Sequence, residues 1–175
     1  MMRLLVCLLL ILQFATPAMA GGAGTACPAT PHDLVVAGYQ KVATNGDEAG
    51  YQQLVYGGTD SSFSVTDFLT KDRAGADRKR VVESLARQLL KQSGDGTVQQ
   101  ENQDRVDTLG LNLVALLYTA RDDDMVTRVE AGAVAHRDGC YSVLRYSHAG
   151  ETGRDAALDI YLALVSDWHR QTVNR

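Results

Sequence analysis

The stretch "MVTRVEAGAVAHRDGCYSVLRY" (125–146) decides the fold, because it reads as two β-strands joined by a tight turn. Asp138-Gly139 is a strong signal for a two-residue hairpin turn, since glycine tolerates the positive φ that such turns need. A two-residue turn also sets which residues face each other. The predicted pairs are His136 with Tyr141, Val134 with Val143, and Ala133 with Leu144.

This register places a row of small side chains on one face of the hairpin. The face carries Ala131, Ala133, Ala135, Leu144 and Tyr146. Small side chains allow a helix to approach a sheet closely. The expected helix is the one that contains Val82 and Leu85.

Upstream of the hairpin, the first part of the chain is predicted to be helical. The segments 30–44, 48–56 and 64–72 carry apolar residues at helical spacing or begin with capping residues. The segment "DRKRVVESLARQLLK" (77–91) gives the clearest helical pattern, because its apolar residues occupy one face. The last helix is predicted at 153–171.

Two segments between these helices are predicted to be strands. The polar segment 97–106 fits an edge strand. The segment "LGLNLVALLYTAR" (109–121) has apolar residues on both alternating sets, which indicates a strand covered on both faces. A buried helix remains the alternative for 109–121, because periodicity alone does not separate the two structures. Helices followed by strands favour an α+β fold.

The N-terminus has the features of a secretory signal. Arg3 supplies a positive charge, an apolar run follows it, and Ala18-Met19-Ala20 is a cleavage pattern. The chain is therefore predicted to consist of a signal peptide (1–20), an N-terminal tail (21–30) and a single domain (31–175). The predicted location is the periplasm or the extracellular space.

The charge of the chain argues against polyanionic partners. The sequence carries 17 basic and 21 acidic residues, and signal cleavage removes Arg3. An acidic exported domain is not attracted to nucleic acid or to an anionic membrane surface. No nucleic-acid partner, and no membrane association after cleavage, is therefore expected. The basic run 71–80 is mixed with acidic residues and is interpreted as a solvated helix start.

Two cysteines remain after signal cleavage, Cys27 and Cys140. In an oxidising compartment a pair of thiols is expected to form a disulfide. A bridge between them closes a loop of more than 100 residues, and chain entropy then allows a stabilisation of up to about 4–5 kcal/mol. A redox-active pair is the alternative, but the CxxC spacing that such pairs often use is absent.

The sequence shows no motif that points to a cofactor or a metal. The GxSxG, HExxH, GxGxxG and P-loop patterns are all absent. The four histidines are far apart in sequence, without the spacing of a metal site. No cofactor, no metal and no catalytic residue are therefore assigned.

Two parts of the chain resemble NTF2-like (SnoaL-like, cystatin-like) domains. These are "VVAGYQKVATNGDEAGYQQLVY" near the start and "VALLYTARDDDMVTRVEAGAVAHRDGCYSVLRY" near the end, and the resemblance spans residues 31–146. It implies N-terminal helices packed on a curved antiparallel sheet that leaves a conical cavity. The predicted C-terminal helix is an addition to that fold. NTF2-like domains include isomerases, hydrolases and proteins without catalysis, so the resemblance implies no particular activity.

Several side chains are candidates for the implied cavity or for a ligand. They are Tyr39, Tyr118, His136, Tyr141 and Tyr146. NTF2-like isomerases pair a base with a group that stabilises an oxyanion. His136 opposite Tyr141 is the candidate pair of this kind, although both residues also fit an ordinary cross-strand contact.

The leading functional expectation is an exported binding protein without enzymatic activity. A groove or a sheet edge would hold a protein partner or a small apolar ligand, and one version is an immunity or inhibitor protein that neutralises a toxin. The first alternative is a small-molecule carrier or enzyme of the isomerase or hydrolase type that uses the cavity. The second is a structural component of an envelope assembly, with Tyr161 and Trp168 of the last helix as candidate partner contacts.

Overall fold

The computed structural model describes residues 30–47, 51–70, 77–94, 96–120, 128–137, 139–149 and 154–173. The predicted signal peptide and Cys27 lie outside these residues. Within them the chain forms ten elements. In order, these are β1 (Gln40–Asp47), β2 (Tyr51–Gly57), β3 (Ser61–Leu69), α1 (Arg78–Ser93), β4 (Thr97–Gln100), α2 (Gln103–Thr108), β5 (Leu113–Ala120), β6 (Arg128–Arg137), β7 (Cys140–Ala149) and α3 (Arg154–Val173).

The strands form one antiparallel sheet in the order β1-β2-β3-β7-β6-β5-β4. The prediction of an α+β fold is correct at that coarse level. The prediction of N-terminal helices on a curved sheet is wrong, because residues 40–47, 51–57 and 61–69 are strands. The three helices instead follow β3, β4 and β7 in the chain.

A period of two residues explains why the first part of the chain is strand. In β3, Phe63, Val65 and Asp67 are buried while the residues between them are only partly buried. β2 shows the same alternation. Side chains that alternate in this way fit a strand with one face on a core, and β-branched and aromatic residues favour that conformation. The turn between the strands is closed by a 2.8 Å hydrogen bond from the Gly58 N–H to the Ser61 carbonyl.

The hairpin prediction is confirmed in its register. β6 and β7 pair antiparallel, with His136 opposite Tyr141 and Arg137 opposite Cys140 across the turn. Gly139 has a φ of 84°, a conformation that glycine adopts without strain. The hairpin lies in the interior of the sheet, between β3 and β5.

The two long helices lie on opposite faces of this sheet. The core beneath α3 includes Ala131, Ala133 and Leu144, whereas the core beneath α1 includes Val134 and Tyr141. Because neighbouring residues of a strand point to opposite faces, these two sets cannot share a side. The alanine row predicted to receive α1 therefore receives α3, and that prediction is wrong.

The helix α1 reaches the sheet at a glycine instead. A Cβ atom on Gly132 would lie 2.8 Å from Leu85 Cδ2. Leu85 and Leu89 are the buried residues of α1, which confirms the predicted apolar face. The helix ends at Gly94, whose φ of 74° and N–H bond to the Leu90 carbonyl form a left-handed cap.

Of the two structures predicted for segment 109–121, the strand is correct, since residues 113–120 form β5. Ala115 and Leu117 face α1, while Leu113 and Leu116 belong to the core beneath α3, so both faces are covered. The predicted edge strand 97–106 is correct only at its start. β4 ends at Gln100, and the Asn102 side chain then caps the short helix α2 by accepting a bond from the Asp104 N–H.

Candidate functional site

The residues predicted for one cavity lie on two sides of the sheet. Tyr39, Tyr118 and Tyr146 contact the core beneath α3. Tyr141 belongs to the core beneath α1, and its ring lies 4.5 Å from that of His136. The sheet separates the two groups, so they form no common cavity.

The predicted pair of His136 and Tyr141 is adjacent, and His136 is half-buried on the lining of a small recess of about 50 Å³. His136 Nδ1 lies 3.4 Å from a guanidinium nitrogen of Arg78, at the start of α1. Tyr141 is fully buried and its ring stacks on Phe68 at 5.7 Å. A bound substrate would not contact the Tyr141 side chain, because that side chain is buried. The two residues instead help to pack the first turn of α1 on the sheet.

The tyrosines beneath α3 fill the space where a conical cavity was expected. The rings of Tyr146 and Tyr161 stack at 5.7 Å, and the Tyr39 hydroxyl lies 2.7 Å from Ser61 Oγ. Burial raises the pKa of both Tyr146 and Tyr161, so these phenols stay protonated at neutral pH. Tyr118 lines a separate cleft of about 190 Å³ beside α2 and α3.

The two candidate partner contacts on α3 are buried. Tyr161 has no exposed surface and Trp168 is 5 % exposed. Both side chains belong to the core between α3 and the sheet. The apolar stripe of α3 is therefore covered within the domain, and neither residue presents a surface to a partner.

A buried polar network that sequence reasoning missed lies at one end of the same core. Asp67 Oδ2 accepts a 2.8 Å bond from the Thr30 N–H, and Oδ1 accepts bonds from the Thr30 hydroxyl at 3.1 Å and the Ser142 hydroxyl at 2.5 Å. Gln52 Nε2 donates to the Thr30 carbonyl and Trp168 Nε1 donates to Thr30 Oγ1. Desolvation raises the pKa of the Asp67 carboxyl, although the bonds from Ser142 and Thr30 act in the opposite direction. The network fastens the N-terminal segment to the sheet and to α3.

This network also bears on the predicted disulfide. Cys140 is buried, and its expected partner, Cys27, lies outside the described residues. Thr30 lies three residues after Cys27, and its N–H donates to Asp67. Asp67 is paired across the strands with Ser142, two residues from Cys140. Three residues span at most about 10 Å. The pairing of Cys27 with Cys140 stays a prediction, and the position of Thr30 is compatible with it.

The open side of the sheet carries the strongest candidate site. α1 packs on β4, β5 and β6, and among the described residues no helix packs on the same face of β2 and β3. A recess of about 430 Å³ lies between α1 and these strands. Its lining combines apolar and polar side chains: Gln53, Thr66, Phe68, Arg80, Val81, Ser84, Leu85, Gln88, Val143 and Arg145.

A second recess of about 240 Å³ continues this opening. It is more polar, and its lining includes Ser62, Ser64, Arg128, Glu130 and Ser147. Gln53 and Arg145 line both recesses. We call the two recesses together the trough.

The carboxylate of Glu130 is held inside the second recess. Its side chain is 1 % exposed, and Oε1 accepts bonds from Arg128 Nε at 2.7 Å and from Ser147 Oγ at 2.8 Å. Arg128 also donates to Ser147 Oγ at 3.2 Å. The charge of Glu130 is therefore balanced by a cation within the trough wall.

Arg145 lies where the two recesses meet. Its guanidinium donates to Gln88 Oε1 at 3.5 Å and to Gln92 Oε1, both on α1. Its buried Nε has no hydrogen-bond partner among the described residues. The two terminal nitrogens each carry a second N–H, so the guanidinium keeps donors where the two recesses meet.

The wall that α1 contributes is basic although the whole chain is acidic. The helix sequence "RKRVVESLARQLLKQS" has one acidic residue, Glu83, against five arginines and lysines. The complete chain has a net charge of −4. The trough therefore lies beside a local concentration of positive charge.

The trough residues were not singled out from the sequence, although a signal exists. In β7, Leu144 and Tyr146 are buried in the core beneath α3, so Arg145 between them must point to the other face. The same alternation in β6 places the Glu130 side chain on the other face of the sheet from Val129 and Ala131. That the facing helix stops short of β2 and β3 is not visible in the sequence.

The described parts of the chain contain no group of three or more His, Cys, Asp or Glu side chains arranged to hold a metal ion. Among the helices in those ranges, none has both the length and the apolar character that crossing a membrane requires.

Comparison of the chain with protein-family models, with curated proteins and with solved structures finds no match. The resemblance to NTF2-like domains therefore stays a prediction. Residues 40–47 and 51–57, within the segment that carries its first half, are strands.

Proposed function

We propose that this protein is an exported binding protein without enzymatic activity that holds a protein partner in the trough. The observation that carries the proposal is the half-covered face of the sheet, where α1 leaves β2 and β3 open beside two connected recesses. The side of α1 and the neighbouring face of β2 and β3 together offer both hydrogen-bonding groups and apolar surface to a partner.

The side chains of the trough favour recognition. Gln53, Thr66 and Ser84 provide donors and acceptors without an ionisable group, and Glu130 is held in an ion pair with Arg128. The candidate acid/base pair of His136 and Tyr141 is not part of the lining of either recess. These features support a binding protein over the alternative of an isomerase or hydrolase.

A small apolar ligand is the second candidate, and one observation favours it. The first recess, at about 430 Å³, has the size of a small-molecule site, and Phe68, Val81 and Val143 give it an apolar part. Native mass spectrometry of protein purified from its own compartment separates the two candidates. A bound metabolite without a protein partner would favour the small ligand.

The test blocks the trough with a bulky side chain. Ser64 lies half-buried on the trough floor, so Ser64→Trp fills the second recess. Ala163→Trp is the matched control, because Ala163 is exposed on α3 at the other side of the sheet. Both variants and the wild type serve as bait for a pull-down from extracts of the native compartment, after their thermal unfolding has been compared.

We expect one protein to be captured by the wild type and by Ala163→Trp and to be lost with Ser64→Trp. A captured toxin or hydrolase would support the immunity or inhibitor version. Recovery of the bait alone, or equal capture by all three baits, would contradict the proposal. A folded Ser64→Trp protein is required for the comparison, and Thr66→Trp on the same floor is the substitute if it does not fold.

A further inference from the structure

The dimensions of the trough fit an extended polypeptide. The residues of β3 on this side of the sheet are Ser62, Ser64, Thr66 and Phe68, and each of them lines one of the recesses. Alternate residues of a strand are about 6.8 Å apart, so the floor runs for about 20 Å. That length accommodates about six residues of extended chain.

The two ends of the trough differ in chemistry. At one end Phe68, Val81 and Val143 form an apolar patch that adjoins Leu85. At the other end Ser62 and Ser147 present hydroxyl groups beside the Arg128–Glu130 ion pair. A ligand that fits both ends therefore carries an apolar side chain at one end and polar groups at the other.

Arg145 provides the charged contact between these ends. It is paired with Ser64 across the strands, four residues along β3 from Phe68, which corresponds to about 13 Å. The planar guanidinium of arginine forms two parallel bonds to a carboxylate. A guanidinium has five N–H donors, and the bonds to Gln88 and Gln92 use one on each terminal nitrogen, so each terminal nitrogen keeps a donor for such a contact.

The charge around Arg145 selects an anionic group. Arg80 lines the same recess, and its exposed guanidinium lies 3.4 Å from the carboxylate of Asp77. Glu130, a carboxylate of the trough wall, is balanced by Arg128. The trough therefore attracts a carboxylate and repels a lysine or arginine of a partner.

We propose that the trough binds an extended acidic segment of the protein partner, with an apolar side chain against Phe68 and Val81 and a carboxylate on Arg145 about four residues away. This inference rests on the proposed function and specifies the chemistry of the partner. The segment can run along β3 in either direction, and the two directions differ in whether the apolar or the acidic residue comes first in the sequence.

The experiment uses synthetic ten-residue peptides with a fluorescent label and measures binding by anisotropy. Two test peptides carry one leucine and one glutamate four residues apart in a serine and threonine background, in the two possible orders. Control peptides replace the glutamate by glutamine or lysine, or place it next to the leucine. Sodium acetate alone tests whether a free carboxylate is sufficient.

We expect one test peptide to bind, with affinity that decreases as salt is added. The Arg145→Gln variant should lose about tenfold to a hundredfold in affinity, the range expected for a charge-assisted hydrogen bond. Arg170→Gln is the matched control, because Arg170 forms an exposed ion pair with Asp167 on α3. Its affinity should equal that of the wild type.

Equal binding of the lysine peptide, unchanged affinity of Arg145→Gln, or competition by acetate at concentrations comparable to the peptide would overturn the inference. The Arg80→Gln variant provides a second reading if Arg145→Gln does not fold, and it should weaken binding in the same direction. A partner that is lost with Ser64→Trp while no acidic peptide binds would reject this inference and leave the proposed function intact. The reverse result, a bound peptide without any trough-dependent partner, would reject the proposed function.

Discussion

The Thr30 N–H donates a 2.8 Å hydrogen bond to Asp67 Oδ2 and joins two residues that lie 37 positions apart. The same carboxylate accepts from the hydroxyls of Thr30 and Ser142, so it organises three donors in a buried place. The N-terminal segment is thereby held against β3 and β7, close to the position of Cys140.

Replacement of Asp67 by alanine should be strongly destabilising. The change leaves the Thr30 N–H and two buried hydroxyls without their acceptor, and each unsatisfied buried group costs about 1–3 kcal/mol. We expect the free energy of unfolding to fall by about 2–4 kcal/mol in urea titrations. Asp104→Ala, at the exposed start of α2, is the control and should change stability by less than about 1 kcal/mol.

The pH dependence of stability should report the same carboxyl. Burial raises the pKa of Asp67 in the folded chain, whereas an aspartate of the unfolded chain titrates near pH 3.9. The folded chain therefore keeps this proton to higher pH, and the associated stability is complete below about pH 3.9 and lost as the pH rises through the folded pKa. The stability of the wild type relative to Asp67→Asn should decrease upward from about pH 4. A difference that does not change with pH would contradict the raised pKa.

Trp168 offers an optical probe of the N-terminal segment. It is the single tryptophan of the chain, it is buried, and its Nε1 donates to Thr30 Oγ1 at 2.9 Å. We expect a blue-shifted fluorescence maximum in the folded protein and a red shift in Thr30→Gly under conditions where far-UV circular dichroism is unchanged. Identical spectra of the two proteins would show that Thr30 does not shield the indole.

Gly132→Ala tests the contact between α1 and the sheet. The new Cβ would lie within 3 Å of both terminal methyl groups of Leu85, so α1 or the leucine must move. We expect a loss of about 1–3 kcal/mol, as for other overpacked cores. In a double-mutant cycle with Leu85→Ala, the combined loss should be smaller than the sum of the two single losses, because the truncated side chain makes room for the methyl group. Strict additivity would mean that the two residues are not in contact.

The predicted disulfide has a direct readout. Intact-mass analysis of protein from its native compartment should show a chain that begins after Ala20 and lacks the two thiol hydrogens of Cys27 and Cys140. Cys140→Ser should reduce stability by about 2–4 kcal/mol under oxidising conditions. With a reductant present, the wild type and the variant should unfold alike. Free thiols in the native protein would refute the pairing.

Local sequence patterns are sufficient to predict an element where the pattern fits only one type of secondary structure. The Asp138-Gly139 turn determines the register of β6 and β7, because a two-residue loop leaves a single pairing. The apolar faces of α1 and α3 also follow from their patterns, whereas the pattern of β5 fits a strand and a buried helix alike. Early in the chain, short apolar runs satisfy both a helical and an alternating period, and β2 and β3 follow the alternating one.

The sequence by itself determined the central hairpin and the two long amphipathic helices, because each depends on residues that are close along the chain. Only the tertiary structure decided which helix covers which face, that Tyr161 and Trp168 are buried, and that Arg145 lies in an open trough. These features depend on how far a helix extends over a sheet of seven strands. They arise from packing between distant segments, and local periodicity carries no information about that packing.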